Sequence, residues 1–160
     1  NGEITLVGRS KEIFKLSNGL YIAPNKIEDI YNTIPQVSKV FVHARSTWAK
    51  LVGIIFIDEK DLTSMSKDIL SKNDTEKNYS ITDILNSCEN YRRQVINLLE
   101  KELGSNLLSS GEKVVDWFFS TEIPTVENNL ITYTHKIKRN LILAKYEDNL
   151  DKLYENYGQS

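Results

Sequence analysis

With a single cysteine, Cys88, the chain has no internal disulfide, and with only two histidines it is short of the ligands for a structural zinc site. No apolar stretch nears the roughly 18 to 20 residues of a membrane-crossing helix. The longest, Leu51 to Ile57, stops at seven. Charge of one sign is also missing: 20 Lys and Arg face 22 Asp and Glu, for a net charge of −2. That balance provides no basic face for nucleic acid. The N-terminus lacks the basic start and apolar core of a signal peptide. No Gly-x-x-x-x-Gly-Lys-[Ser/Thr] loop, Gly-x-Gly-x-x-Gly or Gly-x-Ser-x-Gly occurs either. What is present is 160 residues, 40% hydrophobic and 26% charged, the size and balance of one globular domain. The expectation is a soluble domain from a reducing compartment, without repeats or low-complexity tracts.

Short strand signals come first, over Glu3 to Gly8, Ile13 to Leu16 and Leu20 to Ala23. Asn18-Gly19 between the last two is a hairpin signal, because both residues tolerate the left-handed backbone of a tight turn. Pro24 is placed to open a helix, with Ile27, Ile30, Tyr31 and Ile34 on one face and Pro35 stopping it. Val40 to Ala44 and Leu51 to Ile57 read as strands joined around Ser46-Thr47-Trp48. The second is apolar at nearly every position, as a central strand covered on both faces would be. Asp61 to Leu70 suits a short helix and Ser71 to Ser80 a loop. Ile81, Leu85, Cys88, Tyr91, Val95, Leu98 and Leu99 predict one helix of about five turns, ended by Gly104. Val114 to Phe119 is a strand signal, and Leu130 to Ile137 alternates as a strand does. Asn140 to Tyr157 carries Leu143, Tyr146, Leu150, Leu153 and Tyr157 at helical spacing. The class is therefore α+β: an early β-hairpin and a small, mostly antiparallel sheet packed with about three to four helices.

These residues alone assemble no complete active site. His43 lies in an apolar strand and reads as a packed histidine, and Cys88 as a small core residue. Asp58, Glu59 and Asp61 read as an acidic loop after a strand, without supporting ligands, so no metal site is expected. Lys136, Lys138 and Arg139 read, by charge alone, as the solvated end of a strand.

Two segments at opposite ends of the chain add to that reading. Gly8-Arg9-Ser10-Lys11-Glu12-Ile13-Phe14-Lys15-Leu16-Ser17-Asn18-Gly19, continued by Pro24-Asn25-Lys26-Ile27-Glu28, resembles a motif of adenylate-forming enzymes. It is most like their long-chain acyl-CoA synthetase branch. Glu127-Asn128-Asn129-Leu130-Ile131-Thr132-Tyr133-Thr134-His135-Lys136-Ile137-Lys138-Arg139 is similar to the C-terminal lysine motif of that branch. The resemblance extends over most of the chain except about 59–110, which reads as a family-specific insertion. The branch usually carries glycine at Asn129. Many relatives in other branches carry glycine at His135, where long-chain members often have a larger residue. The branch also has proline at Tyr133 and Glu at Leu20.

The resemblance implies that residues 1–160 are the small mobile C-terminal domain of an ATP-dependent long-chain fatty acid–CoA ligase, whose N-terminal adenylation domain lies outside this sequence. The carboxylate of a fatty acid attacks the α-phosphate of ATP, and the thiol of CoA then displaces AMP. Lys136 matches the catalytic lysine of the first step, Arg9 the nucleotide-binding arginine and Lys11 the hinge. Ser17, Asn18 and Gly19 match the loop beside the CoA channel. Lys138 and Arg139 are expected as surface charges or CoA-phosphate contacts. ATP, Mg2+ and CoA belong to the whole enzyme, with none held tightly by this fragment, which is expected to be inactive alone. Its partner is its own adenylation domain, its location cytoplasmic or on the cytosolic face of a membrane. Alternatives are a non-catalytic interaction or regulatory module of this fold, or a ligase for a medium-chain or aryl acid.

Overall fold

A computed structural model of the chain describes residues 13–70, 79–103, 108 and 112–158. The strand expected over Glu3 to Gly8, Gly104, and most of the loop expected over Ser71 to Ser80 lie outside those residues. The hairpin forms as expected. β1 (Phe14–Lys15) and β2 (Tyr21–Ile22) pair antiparallel, Lys15 opposite Tyr21, around a turn in which Gly19 has φ +91°. That left-handed backbone is one glycine adopts without a steric penalty. α1 (Pro24–Tyr31) begins on its proline and buries Ile27 and Tyr31.

Next come the two core strands, β3 (Val37–His43) and β4 (Leu51–Ile57), which pair antiparallel. All seven residues of β4 are buried, because β4 is the middle strand and both its faces are covered. β5 (Val114–Ser120) joins its other side in parallel. The sheet is thus mixed, and among the described residues two of the three strand pairings are antiparallel.

Alternation along the strands sorts the core into two layers. Val40, Val42, Leu51, Ile55, Trp117 and Phe119 face the hairpin, α1 and three further helices, α2 (Glu59–Ser66), α3 (Ile81–Ser87) and α4 (Glu89–Glu100). Phe41, Val52, Ile54 and Phe56 face α5 (Arg139–Gly158), which buries Ile142, Tyr146, Leu150 and Leu153 at spacings of four and three. Gly53 lets the first layer close: a Cβ there would stand 2.5 Å from the Trp117 ring and 2.7 Å from the Phe41 carbonyl oxygen.

Two expectations need correction. The helix predicted from Ile81 to Leu99 is two helices, because Cys88 is extended (φ −132°, ψ 107°) and ends one while starting the other. Asp58, Glu59 and Asp61 are not a loop: Asp58 caps α2 by accepting the Lys60 N–H at 2.9 Å, and the other two lie in its first turn. Among the described residues there are five helices, and the class is α+β. None of them is long and apolar enough to cross a membrane.

Side chains close both outer edges of the sheet. At β5, Asn86 of α3 accepts the Phe119 N–H and donates to the Phe119 carbonyl, both at 2.9 Å. Behind it Arg92 grips Asp116 through two bonds of 3.0 and 2.7 Å and also donates to the carbonyls of Leu85 and Asn86. At β3, Glu28 of α1 accepts the Val42 N–H at 2.7 Å, and the Arg139 guanidinium faces the Val42 carbonyl at 3.5 Å.

Candidate functional site

The segment between β5 and α5 carries the candidate lysine. Its polar beginning is tied locally by Asn128, whose side chain accepts the N–H of Thr125 at 2.8 Å and of Leu130 at 3.2 Å and donates to the Ile123 carbonyl at 2.9 Å. The Thr125 hydroxyl in turn accepts the Asn128 N–H at 3.0 Å. Leu130 and Ile131 are buried, and Ile137 is half-buried against the α5 layer, so both feet of the next turn are apolar anchors. Between them, the expected strand over Leu130 to Ile137 is absent. Ile131 and Ile137 form a single bridge, and the residues between them fold into a tight turn. The Thr132 N–H donates to the Lys136 carbonyl and the His135 N–H to the Thr132 carbonyl, both at 2.8 Å. The Thr132 hydroxyl accepts the Lys136 N–H at 3.1 Å. Alternation imitated a strand because the two isoleucine anchors happen to be separated by polar tip residues.

Two residues in this segment have left-handed backbone, Asn129 with φ +65° and His135 with φ +67°. The first is a position at which the resembled branch usually has glycine, the second one at which many relatives in other branches do. Asn and His are among the non-glycine residues that enter this region most readily, and both are tethered here. Asn129 Oδ1 accepts a bond from the Lys138 ammonium, and the His135 carbonyl accepts one from the Lys39 ammonium at 2.8 Å.

Lys136 follows His135. Its side chain is exposed, and its ammonium makes no hydrogen bond or ion pair with any described residue. Tyr133 beside it is 88% exposed. The arrangement is a preformed turn that presents an uncompensated point charge to solvent. Such a group neutralises developing negative charge on a phosphate or carboxylate once water is excluded.

The other predicted residues fall elsewhere. Ser17, Asn18 and Gly19 are exposed at the hairpin tip, which leans on the β3–β4 connection: the Ser17 N–H donates to the Trp48 carbonyl at 2.8 Å, and Asn18 Nδ2 to the Ala49 carbonyl at 3.4 Å. Arg9 and Lys11 lie outside the described residues. Arg139, expected at the surface, is instead largely buried. It pairs with Glu28, donates to Asn25 Oδ1 at 2.6 Å and lies over the Phe41 ring at 5.5 Å. A charge in a basic run looks solvated in sequence; only the fold shows that α1 supplies its carboxylate. Burial pushes Glu28 up to about 7, against the lowering by Arg139 and by the Val42 N–H. His43 is packed as expected, stacked on Phe41 and edge-on to Trp48, its Nε2 accepting the Arg45 Nε–H at 3.2 Å. Burial, with Arg45 next, lowers it to about 4, which keeps it neutral. Lys39 was missed; its signal was a lysine within the otherwise apolar core of a strand.

No family model matches the chain. Among curated proteins it is similar to long-chain-fatty-acid–CoA ligase 5 of Mus musculus, 34% identical over 158 residues, and to that of Rattus norvegicus, 32% identical over 158 residues. Each match covers 98% of this chain and 22% of the relative, so the chain spans about a fifth of the length of these relatives. Among solved structures it is similar to the A domain of carboxylic acid reductase from Segniliparus rugosus, in complex with AMP and a co-purified carboxylic acid. The TM-score is 0.65 at 22% identity, over 92% of this chain and 20% of that one, a likeness of fold.

Proposed function

We propose, from a chain that resembles long-chain-fatty-acid–CoA ligases over nearly its whole length, that it is the C-terminal lid domain of an ATP-dependent long-chain fatty acid–CoA ligase. In this reading the lid first closes on an N-terminal adenylation domain for acyl-adenylate formation and then turns to admit CoA. Lys136 is the catalytic residue of the first step. Its ammonium approaches the α-phosphate and the attacking carboxylate, where charge accumulates. A unit charge pair at 4 Å is worth about 1 kcal/mol in water and about 4 at an effective dielectric of 20. Closure that expels water is therefore part of the rate enhancement. Arg9 contacts the nucleotide, Lys11 is the hinge, and the Ser17-Asn18-Gly19 tip lines the CoA channel in the second orientation. Mg2+ would arrive with the triphosphate, since the described residues hold no group of three acidic, His or Cys side chains able to bind it. The domain would work in the cytoplasm or on the cytosolic face of a membrane.

The observation that carries this reading is the free, exposed Lys136 ammonium on a turn already shaped by its own hydrogen bonds. In the whole ligase, Lys136→Ala should slow pyrophosphate release from ATP and fatty acid by on the order of 10²- to 10³-fold, the usual loss of one preorganised stabilising group. Thioester formation from supplied acyl-adenylate should be spared. Equal damage to the two half-reactions would overturn the role given to Lys136.

A further inference from the structure

β3 contains an irregularity beside the residue that reaches the lysine turn. Val37 pairs with Ile57 and Lys39 with Phe56, so Ser38 is an extra residue in the ladder. A bulge of this kind re-aims the side chains on either side of it. Val37 thereby joins Val40 and Val42 in one core layer, although its sequence parity differs from theirs. Lys39 falls in the row of Phe41, on the sheet face that carries α5 and the lysine turn. From there its ammonium donates to the His135 carbonyl at 2.8 Å, 96 residues away in sequence.

That carbonyl belongs to the peptide unit joining His135 to Lys136. A peptide unit is planar, so fixing its oxygen and its N–H fixes the plane from which the next side chain departs. The N–H end is held within the turn by the Thr132 hydroxyl at 3.1 Å, and the oxygen end is held from the sheet by Lys39. The residue between is His135, in the left-handed region without being glycine. A charge-assisted bond to its carbonyl opposes rotation of the peptide out of that conformation.

We infer that Lys39 is a positioning residue for Lys136: it pins the His135–Lys136 peptide plane to the sheet and so sets the direction from which the Lys136 ammonium enters the adenylation site. This rests on the catalytic role proposed for Lys136. Lys39 itself contacts no reacting atom.

The test uses the whole ligase. Lys39→Met keeps the aliphatic stem and removes the donor. It should lower kcat for pyrophosphate release on the order of tenfold, as a small misplacement of a catalytic group does. KM for ATP and thioester formation from supplied acyl-adenylate should stay at parent values. Lys39→Arg, whose guanidinium can still donate to the carbonyl, should restore most of kcat. Lys39→Leu, which also lacks a donor, takes the place of the Met variant if that one does not fold. Lys136→Ala is measured alongside. If Lys39→Met adenylates like the parent while Lys136→Ala is crippled, the inference fails and the reading of Lys136 stands. Equal loss of both half-reactions, or no rescue by arginine, reduces Lys39 to a structural lysine and also overturns the inference. A Lys136→Ala enzyme with parent adenylation removes the reading and the inference together.

Discussion

The two edges of the sheet meet the same difficulty with different chemistry. An unpaired strand edge exposes backbone donors and acceptors that invite another chain. At β5 the cover is a neutral amide, Asn86, backed by an arginine–carboxylate pair only 4% and 3% exposed. At β3 the cover is the ion pair itself, Glu28 on the Val42 N–H and Arg139 beside the Val42 carbonyl, 16% exposed at the arginine. The β5 edge is closed from α3 and α4, and the Arg92–Asp116 pair behind Asn86 lies inside the protein. The β3 edge is closed by the residue that opens α5, three positions after Lys136. Edge closure and presentation of the lysine turn thus share one anchor at β3, whereas at β5 closure is all that the cover achieves.

The widest separation between the edges should appear when each arginine is removed. Arg92→Ala leaves the Asp116 carboxylate buried with its main partner gone, and loss of one member of a buried pair costs about 3–5 kcal/mol. Arg139→Ala should cost less, about 1.5–3 kcal/mol, the range for hydrogen bonds to a charged group. Its site is wetter, and Glu28, already pushed to about 7, can take up a proton. Urea unfolding of the two variants beside the parent measures both. Equal losses, or a larger one for Arg139→Ala, would break the distinction between a sealed edge and a wet one.

Next in size is Asn86→Ala, which strips the Phe119 N–H and carbonyl of their partner while leaving Arg92 and Asp116 in place. Half-buried backbone groups left unsatisfied cost about 1–3 kcal/mol. A loss below about 0.5 kcal/mol, the ordinary spread of surface substitutions, would show that water closes the edge as well as the amide does.

Elements whose burial repeats with a regular period were legible before any coordinates. β4 announced itself by seven apolar positions, the hairpin by Asn18-Gly19, and α5 by its stripe from Tyr146 to Leu153. Periodicity failed where an anchor pattern outlasts the element. The spacing runs unbroken through Cys88 because α3 and α4 bury Leu85, Val95 and Leu99 in the same core layer, so the apolar rhythm continues while the backbone does not. Arg139 looked like a solvated charge because its partner lies 111 residues away, and Arg92 and Asn86, with partners 24 and 33 residues away, gave no local signal. At the candidate site, the motif resemblance singled out Lys136, and the glycine usual in the branch at Asn129, like that of other branches at His135, falls where the backbone is left-handed. Lys39 was not singled out from sequence, since nothing local in its strand shows that a carbonyl 96 residues away lies within its reach.

The smallest expected difference between the edges is their response to pH, and its sign follows from Glu28. Its folded pKa, about 7, lies above the ordinary 4.5, so between those values the folded state holds the proton more firmly than the unfolded chain does. Stability from this group is therefore fully present below about pH 4.5 and is lost as pH rises through 7. Asn86 at the opposite edge has no titrating group to offer. Glu28→Gln keeps an acceptor for the Val42 N–H and removes the titration, so the parent should lose stability relative to this variant between pH 5 and 7.5, by a difference that flattens above 7.5. Thermal unfolding of the two proteins across that window gives the difference directly, with every other titrating group common to both. A difference that grows toward acid instead would mean that Arg139 holds Glu28 ionised in the fold. The β3 edge would then be sealed by a full ion pair, as tightly as Arg92 and Asp116 seal the other.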